Sequence, residues 1–439
     1  MTSRRILVVG AGFAGLYAAM QLRTAVERGH RVTVVNAENF MQYQPFLPEV
    51  ASGTIDPRAV VVPLRRVLRH CEVVIGEVEH IDHDARTASV SLPDARRVEL
   101  GYDVVVLTPG SWVRVLPIPG LAEHGVGFKT VQEAIWLRNR VLSRLDLAAQ
   151  TDDRERRHAA LTFVFVGGGY AGVEALGELE DLARDALASY PGLRPSEMRW
   201  VLVEAAGAIL PELGRDLAGY ARARLEERGI EVLLGTRLES AEDGLLHLSD
   251  GQVFRADTLV WTAGVKPSPL GRRSGFPIDD AGRVRTDRYL RVEGTPDAWA
   301  AGDAAAVSDV TTGGLASPTA QHGMRQGTRL GRNLTAVLAG ERPEPFAYES
   351  IGSVCSLGRY KGVAEIFGLR LRGFPAWFAH RSYHLLAMPT FTRKVKIAAD
   401  WTVALLFPRD LAQLGSLQHP REPFERAADE PGEASGRPG

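Results

Sequence analysis

Residues 161–174, LTFVFVGGGYAGVE, decide the fold of this chain. The apolar run 161–166 is typical of a buried strand, and Gly167, Gly169 and Gly172 follow it at the spacing GxGxxG. In such a turn one glycine bends the chain, one lets a pyrophosphate approach backbone N–H groups, and one lets the next helix pack on the strand. The helix N-terminus adds free amides and the positive end of its dipole. The stretch therefore predicts a strand, turn and helix that bind a dinucleotide.

The same pattern occurs once before. Residues 4–15, RRILVVGAGFAG, place Gly10, Gly12 and Gly15 at the same spacing. A single match can be an ordinary tight turn between a strand and a helix, but two matches, each after a Val-rich strand and before an Ala-rich helix, are hard to explain by chance. The chain is therefore predicted to be an α/β protein with two Rossmann-like dinucleotide-binding domains. Two dinucleotides held face to face is the arrangement that passes a hydride from a nicotinamide to a flavin.

The residue that follows the second strand of each unit bears on nucleotide choice. Glu204 ends the strand 199–203, and a carboxylate there accepts hydrogen bonds from ribose hydroxyls and repels a 2′-phosphate. This predicts NADH rather than NADPH, although a solvated strand-end carboxylate is the alternative. In the first unit the residue is Asn36, whose amide can bond a hydroxyl without charge assistance.

Other stretches add contacts to the two sites. Residues 39–57, NFMQYQPFLPEVASGTIDP, predict a loop packed over a flat group, with Gln44 touching an isoalloxazine; an ordinary surface loop is the alternative. Val78, in the strand 72–81, could meet an adenine through its backbone. Asp303 ends the stretch DAWAAGD, where it could hold a polyol hydroxyl or cap a helix. Gly264 ends ADTLVWTAG, which mirrors YDVVVLTPG in the first half.

A helix opening at Pro318 suggests a second substrate. The segment 317–326, SPTAQHGMRQ, gives this helix a polar first two turns that include Gln321 and His322. A solvent-facing helix is the simpler interpretation. However, Gly323 and Gly327 are poor choices for an exposed helix and indicate close approach to a ligand or to another backbone.

The composition changes near the C-terminus. Residues 369–410 carry seven Arg or Lys and two Asp, and in 393–407 a stripe of Arg393, Lys396 and Asp400 accompanies an apolar face. That face comprises Ile397, Ala398, Trp401 and Leu405. A basic, Trp-containing amphipathic helix is typical of an element lying in a membrane interface. Docking on the protein's own core, or on a second copy in a homodimer, is at least as well supported by periodicity.

Composition excludes several classes of protein. A net charge of -1 argues against a nucleic-acid partner. Cys71 and Cys355 are the only cysteines and lie far apart, so a CxxC redox disulfide and a thiolate metal site are not expected, and we predict no metal. The N-terminus runs directly into a strand, which is unlike a signal peptide, and no apolar run reaches the length of a membrane span.

These stretches together resemble the type II NADH:quinone oxidoreductases, the single-subunit NADH dehydrogenases that do not pump protons. The resemblance covers residues 4–410 and rests on the order GAGFAG, YQPFLPEVASG, VGGGYAGVE, WAAGD, TAQHGMRQ, VCSLG and the basic C-terminal segment. It implies a respiratory flavoprotein that carries two electrons from NADH through FAD to a membrane quinone. It also implies peripheral attachment to the cytoplasmic face of the membrane.

The resemblance also implies roles for individual residues. Glu174, after the second glycine turn, would lie near the flavin and handle protons, with His322 as a second proton source, and the quinone would bind beside Ala320 and Gln321. Cys355 would be structural. NADH would lie on 167–172 and Glu204, and FAD would lie on Gly10, Gly12, Phe13, Ala14, Gly15, Asn36, Gln44, Val78 and Asp303.

One departure and two alternatives belong with this interpretation. Family members often carry a second Gln four residues after the first, where this chain has Arg325, so the site is more basic than expected. A soluble NAD(P)H-dependent reductase of a ferredoxin-like or small acceptor would keep both glycine motifs, as would a redox-sensing flavoprotein without turnover.

The expected domain organisation is an FAD-binding domain in two parts (1–118 and 271–340), an NADH-binding domain (119–270), a C-terminal domain (341–417) and a disordered tail (418–439).

Overall fold

The computed structural model describes residues 3–413, so the tail expected at 418–439 lies outside the described residues. Its α-helices are α1 (Phe13–Gln21), α2 (Arg23–Glu27), α3 (Leu47–Ala51), α4 (Leu64–Val67), α5 (Leu121–His124), α6 (Val131–Gln150), α7 (Arg154–Ala160), α8 (Tyr170–Ala186), α9 (Gly214–Glu226), α10 (Leu270–Arg273), α11 (Ala320–Leu338), α12 (Phe374–Ala387) and α13 (Phe391–Leu406). Its strands are β1 (Arg5–Val9), β2 (Arg31–Asn36), β3 (Phe40–Gln42), β4 (Val61–Pro63), β5 (Glu72–Ile75), β6 (Glu77–Asp82), β7 (Thr87–Ser91), β8 (Arg97–Gly101), β9 (Val104–Leu107), β10 (Ser111–Val113), β11 (Gly125–Val126), β12 (Thr162–Val166), β13 (Arg199–Glu204), β14 (Ile230–Leu234), β15 (Leu238–Ser240), β16 (Leu245–Leu248), β17 (Val253–Arg255), β18 (Thr258–Trp261), β19 (Val265–Pro267), β20 (Val284–Arg285), β21 (Ala298–Ala300), β22 (Ala305–Ala306), β23 (Gly352–Ser356), β24 (Gly362–Ile366) and β25 (Leu369–Arg372).

Two parallel five-stranded sheets form the centre of the fold. The first has the order β21-β9-β1-β2-β5 and the second the order β11-β18-β12-β13-β14. In the first, Val8 pairs with Val34 on one side and Val106 on the other. Central strands of this kind are covered on both faces, which is why they read as continuous apolar runs without alternation. The predicted α/β fold with two Rossmann-like units is confirmed.

The first sheet is assembled from two distant parts of the chain. Strand β21 pairs with β9 at its edge, so residues near 300 return to the sheet that begins at residue 5. Three antiparallel sheets have three strands each: β6-β7-β8, β15-β16-β17 and, near the C-terminus, β23-β24-β25. Two further pairs are antiparallel β3-β4 and parallel β20-β22.

A short antiparallel ladder joins the two parallel sheets. Strand β10 follows β9, strand β19 follows β18, and the two pair with Ser111 opposite Pro267. Ligands of open parallel sheets bind outside the carboxyl ends of the strands. The ladder therefore places the two expected nucleotide edges side by side.

Two local predictions were wrong. The segment 39–57 was expected to be a loop, but it contains β3 and the short helix α3, which begins with Leu47 and Pro48. Proline suits the first turn of a helix because its missing N–H has no partner there in any case. The strand expected over 72–81 is broken at Gly76, where a Cβ would stand 2.7 Å from the carbonyl oxygen of Ser91.

The C-terminal helix α13 has two different apolar surfaces. Ile397 is buried and Trp401 packs edge-on against Phe46, with ring centroids 5.8 Å apart, so this side docks on the protein's own core. On the other side, Phe391 and Leu406 are 79% and 73% exposed. Ala398 and Leu405 are also exposed, so the single apolar face expected from periodicity is divided. Within residues 3–413, no helix has the length and apolar character needed to cross a membrane.

Candidate active site

The first glycine turn has the backbone geometry that its sequence requires. Gly10 has φ of 88°, a region that favours glycine, and a Cβ there would stand 3.0 Å from the Cα of Pro109. A Cβ on Gly15 would overlap the carbonyl oxygen of Gly10, because α1 leaves the turn at close range. Around Gly12, by contrast, nothing lies within 4 Å of an added Cβ. This open space over the helix N-terminus fits a pyrophosphate.

The second turn repeats the first. Gly167 has φ of 118°, a Cβ on Gly172 would overlap the carbonyl oxygen of Gly167, and Gly169 again faces open space. Since the two turns also start α1 and α8 in the same way, the structure offers two equivalent cradles for a dinucleotide.

A threonine hydroxyl stabilises each glycine turn by hydrogen bonds, and neither threonine was predicted from the sequence. The hydroxyl of Thr108 donates to the carbonyl oxygens of Val9 and Gly10, each at 2.9 Å. Thr262 does the same to Val166 and Gly167, at 3.0 and 3.1 Å. The signal was present, because TPG and TAG follow equivalent strands in the two halves.

The strand-end residues Asn36 and Glu204 brace the turns from the other side. The Oδ1 of Asn36 accepts from the N–H of Ala11 at 2.8 Å. The Oε2 of Glu204 accepts from the N–H of Gly168 at 2.5 Å, and its Oε1 accepts from Ala206 at 2.7 Å. A carboxylate still has free lone pairs after two such bonds, whereas the amide of Asn36 also donates to the carbonyl oxygen of Glu38 at 2.7 Å. Glu204 therefore keeps more capacity for a ribose hydroxyl.

A half-buried lysine, Lys129, connects the expected flavin contacts. Lys129 donates from Nζ to the carbonyl oxygen of Ser111 and to its Oγ, the latter at 2.6 Å, and Ser111 donates to Asp303 at 2.6 Å. Gln44 donates to the carbonyl oxygen of Lys129 at 3.2 Å. Burial lowers the pKa of Lys129, while the nearby carboxylates of Asp303 and Glu133 act to raise it. Lys129 was missed because a lone lysine outside any motif gives no sequence signal.

Asp303 does not cap an α-helix. It lies inside the short 3-10 turn Gly302–Ala304, which leads into β22, and the N–H of Gly302 donates to the buried side chain of Gln326 at 2.7 Å. The helix-cap alternative is therefore wrong, and the Asp303 carboxylate accepts from Ser111 instead.

The remaining residues expected at the nucleotide sites lie near the turns. Phe13 and Ala14 open α1 and pack against glycines of α11. Val78 is half-buried on β6, next to Gly76, whose N–H donates to the carbonyl oxygen of Asn36 at 3.0 Å. Gly264 has φ of 99°, and its carbonyl oxygen accepts from the N–H of Arg114 at 3.1 Å.

Two residues expected to be catalytic, Glu174 and Gln321, both form hydrogen bonds with the backbone of strand β23. Glu174 on α8 is buried and accepts from the N–H of Ser356 at 2.9 Å. Gln321 donates to the carbonyl oxygen of Gly352 at 3.4 Å, at the opposite end of the same strand. Four residues of strand span roughly 13 Å. The two side chains therefore belong to neighbouring subsites rather than to one cluster.

The first turn of α11 forms a compact polar and aromatic group. Tyr348 donates to Gln321 Oε1 at 2.8 Å, and its ring lies perpendicular to that of His322, with centroids 5.1 Å apart. The guanidinium of Arg325 lies over the same tyrosine ring at 5.3 Å. Burial lowers the pKa of His322, so the ring is neutral near pH 7. Ala320 begins the helix beside this group, after the cap residue Thr319.

The cysteines offer no redox-active pair. Cys355 is fully buried and Cys71 is half-buried, and neither forms a disulfide. Burial raises the pKa of Cys71 to about 12, so its thiol stays protonated. Within residues 3–413, no group of three His, Cys, Asp or Glu side chains is placed to hold a metal ion.

Comparison with known proteins agrees with this geometry. The family model of the pyridine nucleotide-disulphide oxidoreductases matches residues 4–327. A type II NADH:quinone oxidoreductase of Mycobacterium tuberculosis is 33% identical over 421 residues, covering 92% of this chain and 89% of the relative. That of Staphylococcus aureus is 30% identical over 381 residues, covering 85% and 92%. The structure of NDH2 from Plasmodium falciparum in complex with NADH has a TM-score of 0.87 at 16% identity, covering 94% of this chain and all of that one.

The resemblance read from the sequence motifs is thereby confirmed. Two equivalent dinucleotide cradles, a family match over most of the chain and relatives at about 30% identity matched over about nine-tenths of their length lead to one conclusion. The chain belongs to the pyridine nucleotide-disulphide oxidoreductase family and, within it, to the type II NADH:quinone oxidoreductases.

Proposed function

We propose that this chain oxidises NADH and passes two electrons through FAD to a membrane quinone, without pumping protons, by means of the residues assigned below. One observation carries the proposal: the β10-β19 ladder holds the carboxyl ends of the two parallel sheets together. The N–H of Ser268, just after β19, donates to the carbonyl oxygen of Gly110, just after β9, at 3.0 Å and extends this connection between the two sheets. Dinucleotides on the two cradles would meet at this junction.

FAD would lie on the first cradle. Gly10, Gly12 and Gly15 would receive the pyrophosphate, and Asn36 would hold the turn in shape through its bond to Ala11. Asp303, with Ser111 and Lys129 behind it, would face the polyol and ring portion, and Gln44 would border the ring. Bound flavin supplies the chemistry of accepting a hydride and releasing two electrons.

NADH would lie on the second cradle. Residues 167–172 would bind its pyrophosphate, and the free lone pairs of Glu204 would accept from ribose hydroxyls. A 2′-phosphate at that position would meet the carboxylate as a like charge, which favours NADH over NADPH.

The quinone would bind beside the first turn of α11. Gln321 and His322 offer hydrogen-bonding groups there, and the neutral ring of His322 can give or take a proton. Tyr348 fixes the Gln321 amide at 2.8 Å and so presents it in one orientation. Arg325 adds a positive charge that would stabilise negative charge on a partly reduced quinone ring.

The outer surfaces of α12 and α13 would rest on the membrane. Phe374 and Phe378 on α12 are 55% and 60% exposed, and Phe391 on α13 is 79% exposed. Arg393, Lys394 and Lys396 accompany them, which suits a surface of anionic lipids. We assign this surface to the cytoplasmic leaflet.

Liposome flotation with anionic vesicles tests membrane binding by this surface. The double variant Phe391→Asp with Phe378→Asp should lose binding to the vesicles without loss of ferricyanide turnover.

Turnover assays test the electron acceptor. Purified FAD-loaded protein should oxidise NADH faster than NADPH with a short-chain quinone analogue, and Gln321→Ala should raise the quinone KM about tenfold while leaving ferricyanide turnover intact. Gln150→Ala, an exposed change at the end of α6, is the matched control. Turnover with ferricyanide but none with any quinone would overturn the proposal in favour of a soluble reductase. Negligible turnover with every acceptor would favour a redox sensor.

A further inference from the structure

A line of buried polar side chains runs from α8 through α12 to Tyr43, the residue before Gln44. Glu174 Oε1 lies 3.1 Å from Nε2 of His380. His380 and His384 are one helical turn apart on α12, with ring centroids 4.6 Å apart and planes at 68°. Nδ1 of His384 lies 3.1 Å from the hydroxyl of Tyr43. The four side chains thus lie in one line through the interior, with polar contacts of 3.1 Å at its two ends and a ring-to-ring contact between the two histidines.

One ring nitrogen in this path has no partner among the described residues. His380 is 2% exposed, and its Nδ1 is buried without a hydrogen bond. An unsatisfied buried donor or acceptor costs about 1–3 kcal/mol, so a histidine serving only to pack would be a poor choice here. Rotation about the Cβ–Cγ bond of an imidazole is soft, and at this ring separation it can bring Nδ1 of His380 towards the edge of His384.

The protonation states suit transfer. Burial, with the neighbouring His380, holds the pKa of His384 well below its usual value, so the ring is neutral at pH 7. Burial also raises the pKa of Tyr43, which therefore keeps its proton. A neutral imidazole has one donor and one acceptor nitrogen, so it can accept a proton on one side and release one on the other. Other titratable groups near the path are Glu178 on α8, Glu49 on α3, Arg381 on α12, Cys355 on β23, and Tyr17 and Tyr383 beside Tyr43.

We propose that Glu174, His380, His384 and Tyr43 form a proton relay that serves quinone reduction. The inference rests on the proposed function and adds three residues to the role expected for Glu174. Of the two ends of the path, Glu174 is 7% exposed and Tyr43 is 1% exposed, so we take Glu174 as the end at which a proton enters. Tyr43 is the inner end, since it precedes Gln44 and packs edge-on to Phe13 of the first glycine turn, with centroids 5.5 Å apart.

The proton count of the reaction requires such a supply. Forming a quinol takes two electrons and two protons; NADH delivers two electrons and one proton, and water must provide the other. In each relay step one O–H or N–H bond breaks as the next forms, and a proton taken up at Glu174 ends as one released from the Tyr43 hydroxyl towards the quinone site. The histidines return to their first tautomers by rotation and one further transfer, so nothing is consumed but the proton.

Tyr43→Phe and His384→Gln test the relay. The flavin absorbance of NADH-reduced protein mixed with a short-chain quinone should recover at least tenfold more slowly in each variant, with a larger solvent deuterium effect. Ferricyanide accepts electrons without protons, so its turnover, like reduction by NADH, should stay within twofold of wild type. Tyr190→Phe is the matched control, because it removes a hydroxyl that bonds Asp146 at 2.7 Å, outside the path.

A spectroscopic readout separates relay from packing. In oxidised protein with 15N-labelled histidine, Tyr43→Phe should shift the ring nitrogens of both His384 and His380, whereas simple packing would move only His384, the direct neighbour. Unchanged quinone-dependent rates in both variants, or an unmoved His380 signal, would overturn the relay. Failure of the wild-type protein to reduce any quinone would instead overturn the proposed function.

Discussion

Gly327 on α11 lies so close to Ala14 on α1 that a Cβ at position 327 would overlap the carbonyl oxygen of Ala14 and stand 2.9 Å from its Cα. Gly331 repeats the approach one turn later, where a Cβ would stand 2.7 Å from the Cβ of Gln21. Because α1 starts at the first glycine turn, the glycines of α11 set the position of the turn itself. The sequence left two reasons for a glycine at position 327, which were close approach to a ligand and close approach to another backbone. The contact with Ala14 shows that the second reason applies.

Gly327→Ala should therefore destabilise the protein, by a net of up to about 2 kcal/mol, because an overpacking cost of about 1–3 kcal/mol outweighs the gain of up to about 1 kcal/mol in helix propensity. FAD should also be retained less well. Gly219→Ala is the matched control, since it lies in α9 with nothing within 4 Å of an added Cβ and should be neutral or stabilising. Urea denaturation of the two FAD-loaded variants gives the comparison, and equal midpoints would contradict the packing argument.

Glu204→Gln should weaken NADH binding and relax the choice of nucleotide. The change keeps the shape of the side chain but removes the charge-assisted bond to Gly168, the proposed bond to the ribose and the proposed repulsion of a 2′-phosphate. We expect the KM for NADH to rise roughly five- to tenfold, about 1–1.4 kcal/mol, with kcat nearly unchanged and a higher NADPH to NADH ratio of kcat/KM. Glu239→Gln, an exposed change on β15, should leave the KM for NADH, kcat and the NADPH to NADH ratio of kcat/KM unaltered. An unchanged NADPH ratio in Glu204→Gln would contradict the assignment.

The glycine turns could be predicted because their spacing reports backbone geometry directly. Gly10 and Gly167 have positive φ, and Gly15 and Gly172 sit where no Cβ fits, so these residue types are forced by the fold and visible in the sequence. The parallel strands were equally clear, since burial on both faces leaves continuous apolar runs.

The relationships that were missed depend on tertiary contacts between distant segments. Lys129 matters because the fold carries it to Ser111 and Asp303, and nothing in its own neighbourhood indicates this. The amphipathic pattern of α13 could not distinguish docking from membrane contact, because the helix has both an inward side at Ile397 and an outward side at Phe391. His380 and His384 resemble ordinary helix residues until Glu174 and Tyr43 are seen beside them.

Arg228 follows α9 and contacts two carboxylates of α8, and we expect Arg228→Met to be strongly destabilising. Arg228 pairs with the buried carboxylate of Glu180, lies 2.9 Å from Asp181, and donates to the carbonyl oxygens of Gly177 and Leu357. Its removal leaves buried Glu180 with Arg184 as its remaining ionic partner and takes a cation from Asp181, so we expect a cost near the lower end of the about 3–5 kcal/mol typical of breaking a buried ion pair. Arg222→Met breaks an exposed pair with Glu226 and should cost less than about 1 kcal/mol. Thermal denaturation should separate the two variants clearly, and similar melting temperatures would show that the buried cluster contributes little.

Acidification should destabilise the protein through His384. Its pKa in the folded protein is well below the ordinary value of 6.5, so below pH 6.5 the unfolded chain binds a proton that the native state does not. The stability that the neutral ring contributes is complete above that pH and is lost as the pH falls, by up to about 1.4 kcal/mol per pH unit. His384→Gln removes this titration, so its unfolding free energy should fall less steeply between pH 6.5 and 5, whatever its value at pH 8. His247→Gln, an exposed change on β16, should retain the wild-type slope. If His384→Gln and wild type lose stability in parallel over this range, the acid sensitivity must come from other groups and the buried neutral state of His384 is refuted.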